Sequence, residues 1–357
     1  MGSRVISVDV FRGLTMAAMV IVNNPGDWGN IYWPLEHAEW NGWTPTDLVF
    51  PFFLFTVGVA ITLSRKSASA GSILRRAALI AVLALLLAGL PHFDLRTWRI
   101  PGVLQRIAVC YLLAAFLYKL TAGQPRLQRG TIMVGGALAL CVAYWLIMTR
   151  VPNPAGVTGD LSPDGNWGAH IDRAVFGVHL WASSRTWDPE GLLSTIPSIG
   201  TTLLGIASGL WLGSAAAPAR KAALLAAAGV AAIAIGYAWH PFFPINKKLW
   251  TSSFVFFTAG AAALLLSVCY WAIDVKGWRG WTKPFVILGV NAIALYVAAA
   301  LLEHVLDLTG LGPWIYRHLF QSFAPPRIAS LGYAVGNLVI LFALLAWMYR
   351  RRWFLRA

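Results

Sequence analysis

Acidic residues are scarce in this sequence: 14 Asp and Glu stand against 28 Lys and Arg in 357 residues, and charged residues of both signs make up only 12%. A water-soluble domain carries about a quarter of its residues charged, so an ordinary soluble fold is excluded. Cysteine is nearly absent. Cys110, Cys141 and Cys269 each sit inside an apolar stretch with no paired spacing, which excludes a disulfide framework and a cysteine zinc site and leaves them as small buried hydrophobes. No bound metal is expected. The G-x-x-x-x-G-K-S/T, G-x-G-x-x-G, H-E-x-x-H and G-x-S-x-G patterns are missing, so no familiar soluble-enzyme reading applies. A small-residue cleavage site after the first apolar segment is missing too, so that segment is expected to be retained rather than removed as a signal peptide.

What is abundant is apolar surface, at 58% of residues and a mean hydropathy of +0.65. A bilayer core about 30 Å thick takes roughly 20 helical residues. Ten segments fit: Ser7 to Asn23, Thr46 to Ser64, Arg76 to Leu90, Pro101 to Leu120, Gly130 to Thr149, Leu193 to Gly213, Lys221 to Trp239, Ser252 to Ile273, Pro284 to Glu303 and Ile328 to Tyr349. With no solvent partner for backbone groups, each is expected to be a helix, and short connections imply antiparallel neighbours. The expected fold is an all-α polytopic membrane protein, a bundle of about ten transmembrane helices in one domain spanning 1–357. If the N-terminus is cytoplasmic, Arg4, Arg65, Lys66, Lys283, Arg350 and Arg356 fall inside with most other basic residues, and ten crossings return the C-terminus to the same side. Two long connections, 24–45 and 150–192, then lie outside, where loops of that kind carry function.

Several polar residues sit where a membrane makes them costly. Asp9 and Arg12 lie three apart on one helical face, either as a structural ion pair that snorkels to the interface or as a site where Arg12 meets an anion. Asn23 and Asn24 end the first segment, where a helix C-cap is the plain reading. In the loop that follows, Trp28, Tyr32, Trp33, Trp40 and Trp43 alternate with Glu36, His37, Glu39 and Asn41. Such aromatics form an interfacial belt or stack on a sugar ring. His37 differs from them because an imidazole can accept, donate or carry a group near neutral pH. Asp47, at the start of the second segment, is either part of a helix N-cap or a functional carboxylate. Arg106 lies about one turn inside an apolar helix, which makes it a candidate for an anionic partner, Asp47 or a ligand group. Arg99, Asp188-Pro189-Glu190-Gly191 and Pro244 to Ser252 complete the polar clusters on the outer face.

Taken in order, Ser7 to Gly13, Val20 to Asn23, His37 to Gly42, Thr46 to Pro51, Arg99 to Arg106, Asp188 to Gly191, Phe243 to Trp250 and Asp274 to Gly277 resemble the heparan-α-glucosaminide N-acetyltransferase family along essentially the whole chain. The chain looks like a bacterial member, expected in the inner membrane and lacking the lumenal domain and first helix of the lysosomal member. The resemblance implies transfer of an acetyl group from cytoplasmic acetyl-CoA to the free amine of a glucosamine-type sugar across the membrane. It maps the essential histidine onto His37 and its partnering asparagine onto Asn23. On that footing His37 acts as general base or acetyl carrier, Asn23 donates a hydrogen bond to the thioester oxygen, and Asp47 orients His37. Arg12, Asp9, Arg99 and Arg106 are assigned to the coenzyme, and Trp40, Asn41, Glu190 and Asn246 to the acceptor. Family members pair, so a homodimer is expected.

Two other readings compete. Ten helices with scattered intramembrane charges also suit a sugar or metabolite transporter, although no matching pair of interrupted segments is evident in the two halves. An acyltransferase acting on a sugar hydroxyl is the other. The net charge of +14, which in a soluble protein would point to nucleic acid, resolves into a positive inner face suited to a polyanionic coenzyme and a mildly acidic outer face suited to an amine. Partners are therefore the coenzyme, the amino sugar and the lipid bilayer, with no nucleic acid.

Overall fold

Apolar runs without proline or glycine clusters leave the backbone one economical solution in lipid, a helix that satisfies its own hydrogen bonds. The computed structural model, which describes residues 5–63 and 69–355, follows that rule. In chain order its helices are α1 (Ile6–Asn23), α2 (Val49–Leu63), α3 (Ala70–Gly89), α4 (Val103–Leu120), α5 (Arg126–Arg150), α6 (Trp167–Phe176), α7 (Leu192–Leu212), α8 (Pro218–Trp239), α9 (Ser252–Tyr270), α10 (Lys283–Val290), α11 (Ala292–Leu308), α12 (Leu311–Ile315) and α13 (Pro326–Arg350). No β-strand occurs among the described residues, only an isolated bridge between Pro152 and Thr158. Nine helices among them are long and apolar enough to cross a membrane, and α10 with α11 makes a tenth crossing if the bent pair is one span. The protein is thus an all-helical polytopic membrane protein. Arg4, Arg65, Lys66 and Arg356, which entered the charge tally, and Ser64 at the expected end of the second span lie outside the described residues.

The ninth expected span, Pro284 to Glu303, differs from the sequence reading. It is broken at Asn291, and its two halves meet at 80°. The cause is a buried polar side chain. Asn291 donates through Nδ2 to the Trp353 carbonyl at 3.1 Å and accepts at Oδ1 from the Leu355 N–H at 3.2 Å, so its amide bonds to the C-terminal segment while its backbone leaves the helical region. The long connection 150–192 is likewise not plain coil: Asn166 caps α6 by accepting from the Ala169 N–H at 3.0 Å.

The described residues gather into two compact units, one of residues 1–37, 44–53 and 269–357, the other of 38–43 and 54–268. In the first, α1 packs on α10, α11 and α13 around Met16, Val20, Leu288, Leu295, Leu341 and Leu345. Glycine permits the closest approach: a Cβ at Gly13 would lie 1.9 Å from the Phe285 carbonyl oxygen, and one at Gly289 2.0 Å from that of Asp9. Lipid gives helices no hydrophobic drive to associate, so such close backbone packing supplies the attraction instead. In the second unit, α7 packs on α4 and α5 over Tyr111, Met133, Leu203 and Ile206. A further cluster of Tyr144, Met148, Leu193, Phe243 and Leu249 has Trp40 and Trp167 packed against it.

Candidate active site

In the first unit, the segment between α1 and α2 brings His37 to Asp47. Thr44 is extended and caps a 3-10 turn, Pro45–Leu48, that leads into α2. The Thr44 N–H donates to Asp47 Oδ2 at 3.0 Å and the Thr44 hydroxyl reaches the same oxygen at 3.2 Å, while the Asp47 N–H returns to the Thr44 carbonyl at 3.0 Å. This reciprocal capping box fixes the carboxylate. Its other oxygen, Oδ1, lies 2.7 Å from His37 Nδ1. Asp47 is 1% exposed whereas the His37 side chain is 42% exposed, so a buried carboxylate orients an imidazole accessible at the surface. The Thr44 hydroxyl also bonds the Glu36 carbonyl, and Thr46 Oγ1 donates to the Pro34 carbonyl at 3.0 Å, which holds the loop segment carrying His37 against the turn carrying Asp47.

Asn23 ends α1 and is exposed. The C-cap duty considered for it falls on its neighbour: Asn24 Nδ2 donates to the Val20 carbonyl at 2.8 Å. At the start of α1, Arg12 Nη1 stands 3.6 Å from Asp9 Oδ1 and donates to the Gly289 carbonyl at 3.1 Å. Arg12 therefore helps join α1 to α10 and is only partly exposed.

In the second unit, Trp40 and Asn41 meet residues far along the chain. Trp40 Nε1 donates to the Leu161 carbonyl at 2.9 Å, and its ring packs edge-on against Trp187 with centroids 5.2 Å apart. Beside both rings lies a cation. Lys248 Nζ is 5.8 Å from the Trp40 centroid and 5.7 Å from that of Trp187, within reach of both π faces, and it donates to the Glu39 carbonyl. Asn246, wholly buried, donates through Nδ2 to Asn41 Oδ1 at 3.2 Å and accepts at Oδ1 from the Leu249 N–H at 2.8 Å. Gly42, at φ +103°, lets its N–H reach the Ile245 carbonyl at 2.7 Å. The two polar segments noted in the sequence thus form one surface.

Arg99 and Glu190, assigned from the sequence to different ligands, are partners of each other. Arg99 Nη2 lies 2.6 Å from both Asp188 Oδ1 and Glu190 Oε2, and Nε lies 2.9 Å from Asp188 Oδ2. Desolvation of the guanidinium is outweighed by these two carboxylates, whose hydrogen bonds and charges push its pKa above the ordinary arginine value. Asp188 also accepts from the N–H groups of Trp181 and Glu190. Beneath it, Asp172 takes the Leu192 N–H at the start of α7 at 2.9 Å. Burial, above all, raises its pKa to about 6, against the opposing effect of that hydrogen bond.

Arg106 is fully buried in α4. Its Nη2 donates to the Gly191 carbonyl at 3.1 Å and to Ser194 Oγ, and the guanidinium carbon lies 5.2 Å from the Trp250 ring centroid. Nε and Nη1 make no hydrogen bond among the described residues. A buried unpaired donor costs about 1–3 kcal/mol, so this guanidinium is set for a further acceptor.

Sequence reasoning missed Thr44, Asp172, Trp187 and Lys248. Thr44 was readable, since Thr-x-x-Asp ahead of an apolar run is a capping signature. Trp187 and Lys248 were not, because their role arises from contacts across 147 and 209 positions respectively, between Trp187 and Trp40 and between Lys248 and Glu39.

Comparison with known proteins shows the family. Residues 4–240 match the family model described as heparan-alpha-glucosaminide N-acetyltransferase, catalytic. The Mus musculus heparan-alpha-glucosaminide N-acetyltransferase is 32% identical over 363 residues, covering 85% of this chain and 54% of that protein. Its Homo sapiens counterpart is 32% identical over 359 residues, with 84% and 53% covered. The chain spans about half the length of the curated relatives it matches. His37, Asp47, Arg99, Arg106 and the Asp188 to Gly191 turn all fall inside the matched region, and the chain belongs to the heparan-α-glucosaminide N-acetyltransferase catalytic family.

Proposed function

We propose that this protein transfers an acetyl group from acetyl-CoA to the free amine of a glucosamine-type sugar, with His37 as the proton-transfer group. The observation that carries the reading is the 2.7 Å contact between His37 Nδ1 and the buried Asp47 carboxylate. A carboxylate at Nδ1 fixes the tautomer and leaves Nε2 as the free acceptor. His37 Nε2 then takes a proton from the acceptor amine as the nitrogen attacks the thioester carbonyl. The C–N bond forms, the C–S bond breaks, and His37 returns the proton to the departing thiolate. In the alternative order, Nε2 first accepts the acetyl group and passes it to the amine.

The remaining residues take supporting roles. Asn23 is the donor for the oxygen that gains charge at the carbonyl, a contribution typically of about 3–4 kcal/mol. The two unsatisfied guanidinium nitrogens of Arg106 suit a carbonyl of the donor's pantetheine arm, and Arg12 supplies positive charge for a phosphate. Trp40 with Trp187 offers aromatic faces to a sugar ring, and Asn41 with Asn246 offers amides to its hydroxyls. Arg99 and Glu190 we assign instead to holding the Asp188 to Gly191 turn, because their charges are spent on each other. The donor is taken to arrive from the cytoplasm and the acceptor from the opposite side, in a bacterial inner membrane and as a homodimer.

A transporter would be favoured by interrupted helices repeated in both halves, but α10 with α11 is the one such pair among the described residues. Purified protein given acetyl-CoA and a panel of amino sugars should yield N-acetylated product, and His37→Ala should abolish it. Normal turnover by His37→Ala removes the assignment. Label exchange between acetyl-CoA and CoA without acceptor selects the acetyl-histidine order. Counterflow of labelled sugar independent of acetyl-CoA would instead establish transport, and acetylation of a sugar lacking the amine would establish hydroxyl transfer.

A further inference from the structure

The Asn23 side chain ends α1 exposed and makes no hydrogen bond among the described residues. Its own amide therefore does not aim it, and its direction depends on how the backbone on either side is held. On one side, α1 packs against α10. On the other, the chain is fastened to α13, a helix that carries none of the candidate site residues. All the residues of this fastening belong to the first unit.

Ser330, near the start of α13, makes three bonds to two successive residues. Its carbonyl accepts the Gly26 N–H at 3.2 Å, its Oγ accepts the Asp27 N–H at 3.1 Å, and the same hydroxyl donates to the Asp27 carbonyl at 3.0 Å. Ser330 is 2% exposed, so water competes little for these bonds and each is strengthened by its surroundings. Asp27 passes the hold along the chain: its carboxylate accepts from the Gly29 N–H and from Asn30 Nδ2, each at 2.8 Å, closing a turn that leads on toward His37.

The fit of the backbone agrees with a fixed position. A Cβ at Gly26 would lie 2.4 Å from Tyr316 Cδ2 and 3.0 Å from Tyr333 Cβ, so a larger residue would push the segment off both rings. The crevice lined by Pro25, Asn30, Arg327 and Ser330 leaves about 10 Å³, room for about one water. The segment has little slack against α13.

We propose that Ser330 is a positioning residue for acetyl transfer: by fixing Gly26 and Asp27 it sets the direction of Asn23 toward the carbonyl oxygen that gains charge. This rests on the reading of Asn23 as that donor. A reacting group misplaced by about 1 Å can cost on the order of a hundredfold in rate, so a bolt three residues away is close enough to matter.

The test uses the full chain. Ser330→Ala removes both hydroxyl bonds. Its kcat should fall on the order of a hundredfold with KM for acetyl-CoA and the amino sugar near the wild-type values, and hydrogen–deuterium exchange over residues 26–30 should quicken. Gly26→Ala displaces the segment while keeping Ser330 and should do the same; it takes the place of Ser330→Ala if that variant folds poorly. Asn23→Ala should itself lower kcat, and adding either substitution to it should cost nothing more, because the group being aimed is gone. A merely structural role would make the losses add. Wild-type turnover by Ser330→Ala, full additivity with Asn23→Ala, or exchange over 26–30 in the wild-type protein as fast as in an open loop overturns the proposal. Wild-type turnover by Asn23→Ala removes the reading of Asn23 and the proposal with it, a result distinct from a slow Asn23→Ala beside a fast Ser330→Ala, which removes the proposal alone.

Discussion

The two oxygens of the buried Asp47 carboxylate divide its duties. Oδ2 closes the capping box with Thr44, and Oδ1 meets His37. Asp47→Asn keeps an acceptor for the Thr44 N–H but removes the charge that stabilises a protonated imidazole. We expect acetyl transfer to fall on the order of a hundredfold or more with little change in melting temperature, as checked by steady-state kinetics beside thermal unfolding. Thr44→Val should do the reverse, costing about 1 kcal/mol of stability as a lost cap while catalysis suffers less. Asp172 gives a pH signature of its own. Its carboxyl binds a proton more tightly folded, at about 6, than at its ordinary 3.8. The stability it contributes is therefore full below about pH 4 and is lost as pH rises through about 6. Asp172→Asn should flatten the dependence of melting temperature on pH across that window, and an unchanged slope would refute the assignment.

At the scale of elements, hydropathy alone located nine of the ten expected crossings to within a few residues, the largest discrepancy being α3, which begins at Ala70 rather than Arg76. The reason is physical: a bilayer demands a run of apolar residues of fixed length, and that demand is written locally. What local reading could not supply was the break in the ninth span, since one Asn in an apolar run does not announce a partner 62 residues away. The His37 and Asp47 pairing was approachable because only ten residues separate them. The mutual neutralisation of Arg99 and Glu190, 91 positions apart, was not. Helix contact through glycine makes a further prediction at this scale. A Cβ at Gly289 would meet the Asp9 backbone, so Gly289→Ala must separate α1 from α10. A loss of folded protein is expected in detergent-stability assays, and larger than for Gly280→Ala, where a Cβ meets nothing within 4 Å.

For the molecule as a whole, we propose the sidedness that the positive-inside tally predicts, and the scarcity of cysteine makes it measurable. All three native thiols are buried, so a membrane-impermeant maleimide should find little to react with in the wild-type protein. Glu39→Cys and Gln124→Cys each place a thiol on an exposed connection. Intact cells should label the first and not the second, and inverted vesicles should show the opposite pattern. Labelling of both from one side would dismiss the ten-crossing topology.

The clasp at Asn291 has a consequence for how the protein is made. Its two partners, at Trp353 and Leu355, are synthesised 62 and 64 residues later. At translation speeds of about 5–20 residues per second, the bend between α10 and α11 therefore waits several seconds for the backbone groups that complete it. During that interval the Asn291 amide must be served by water or by insertion machinery. Chains released before Trp353 would carry the bend without its clasp.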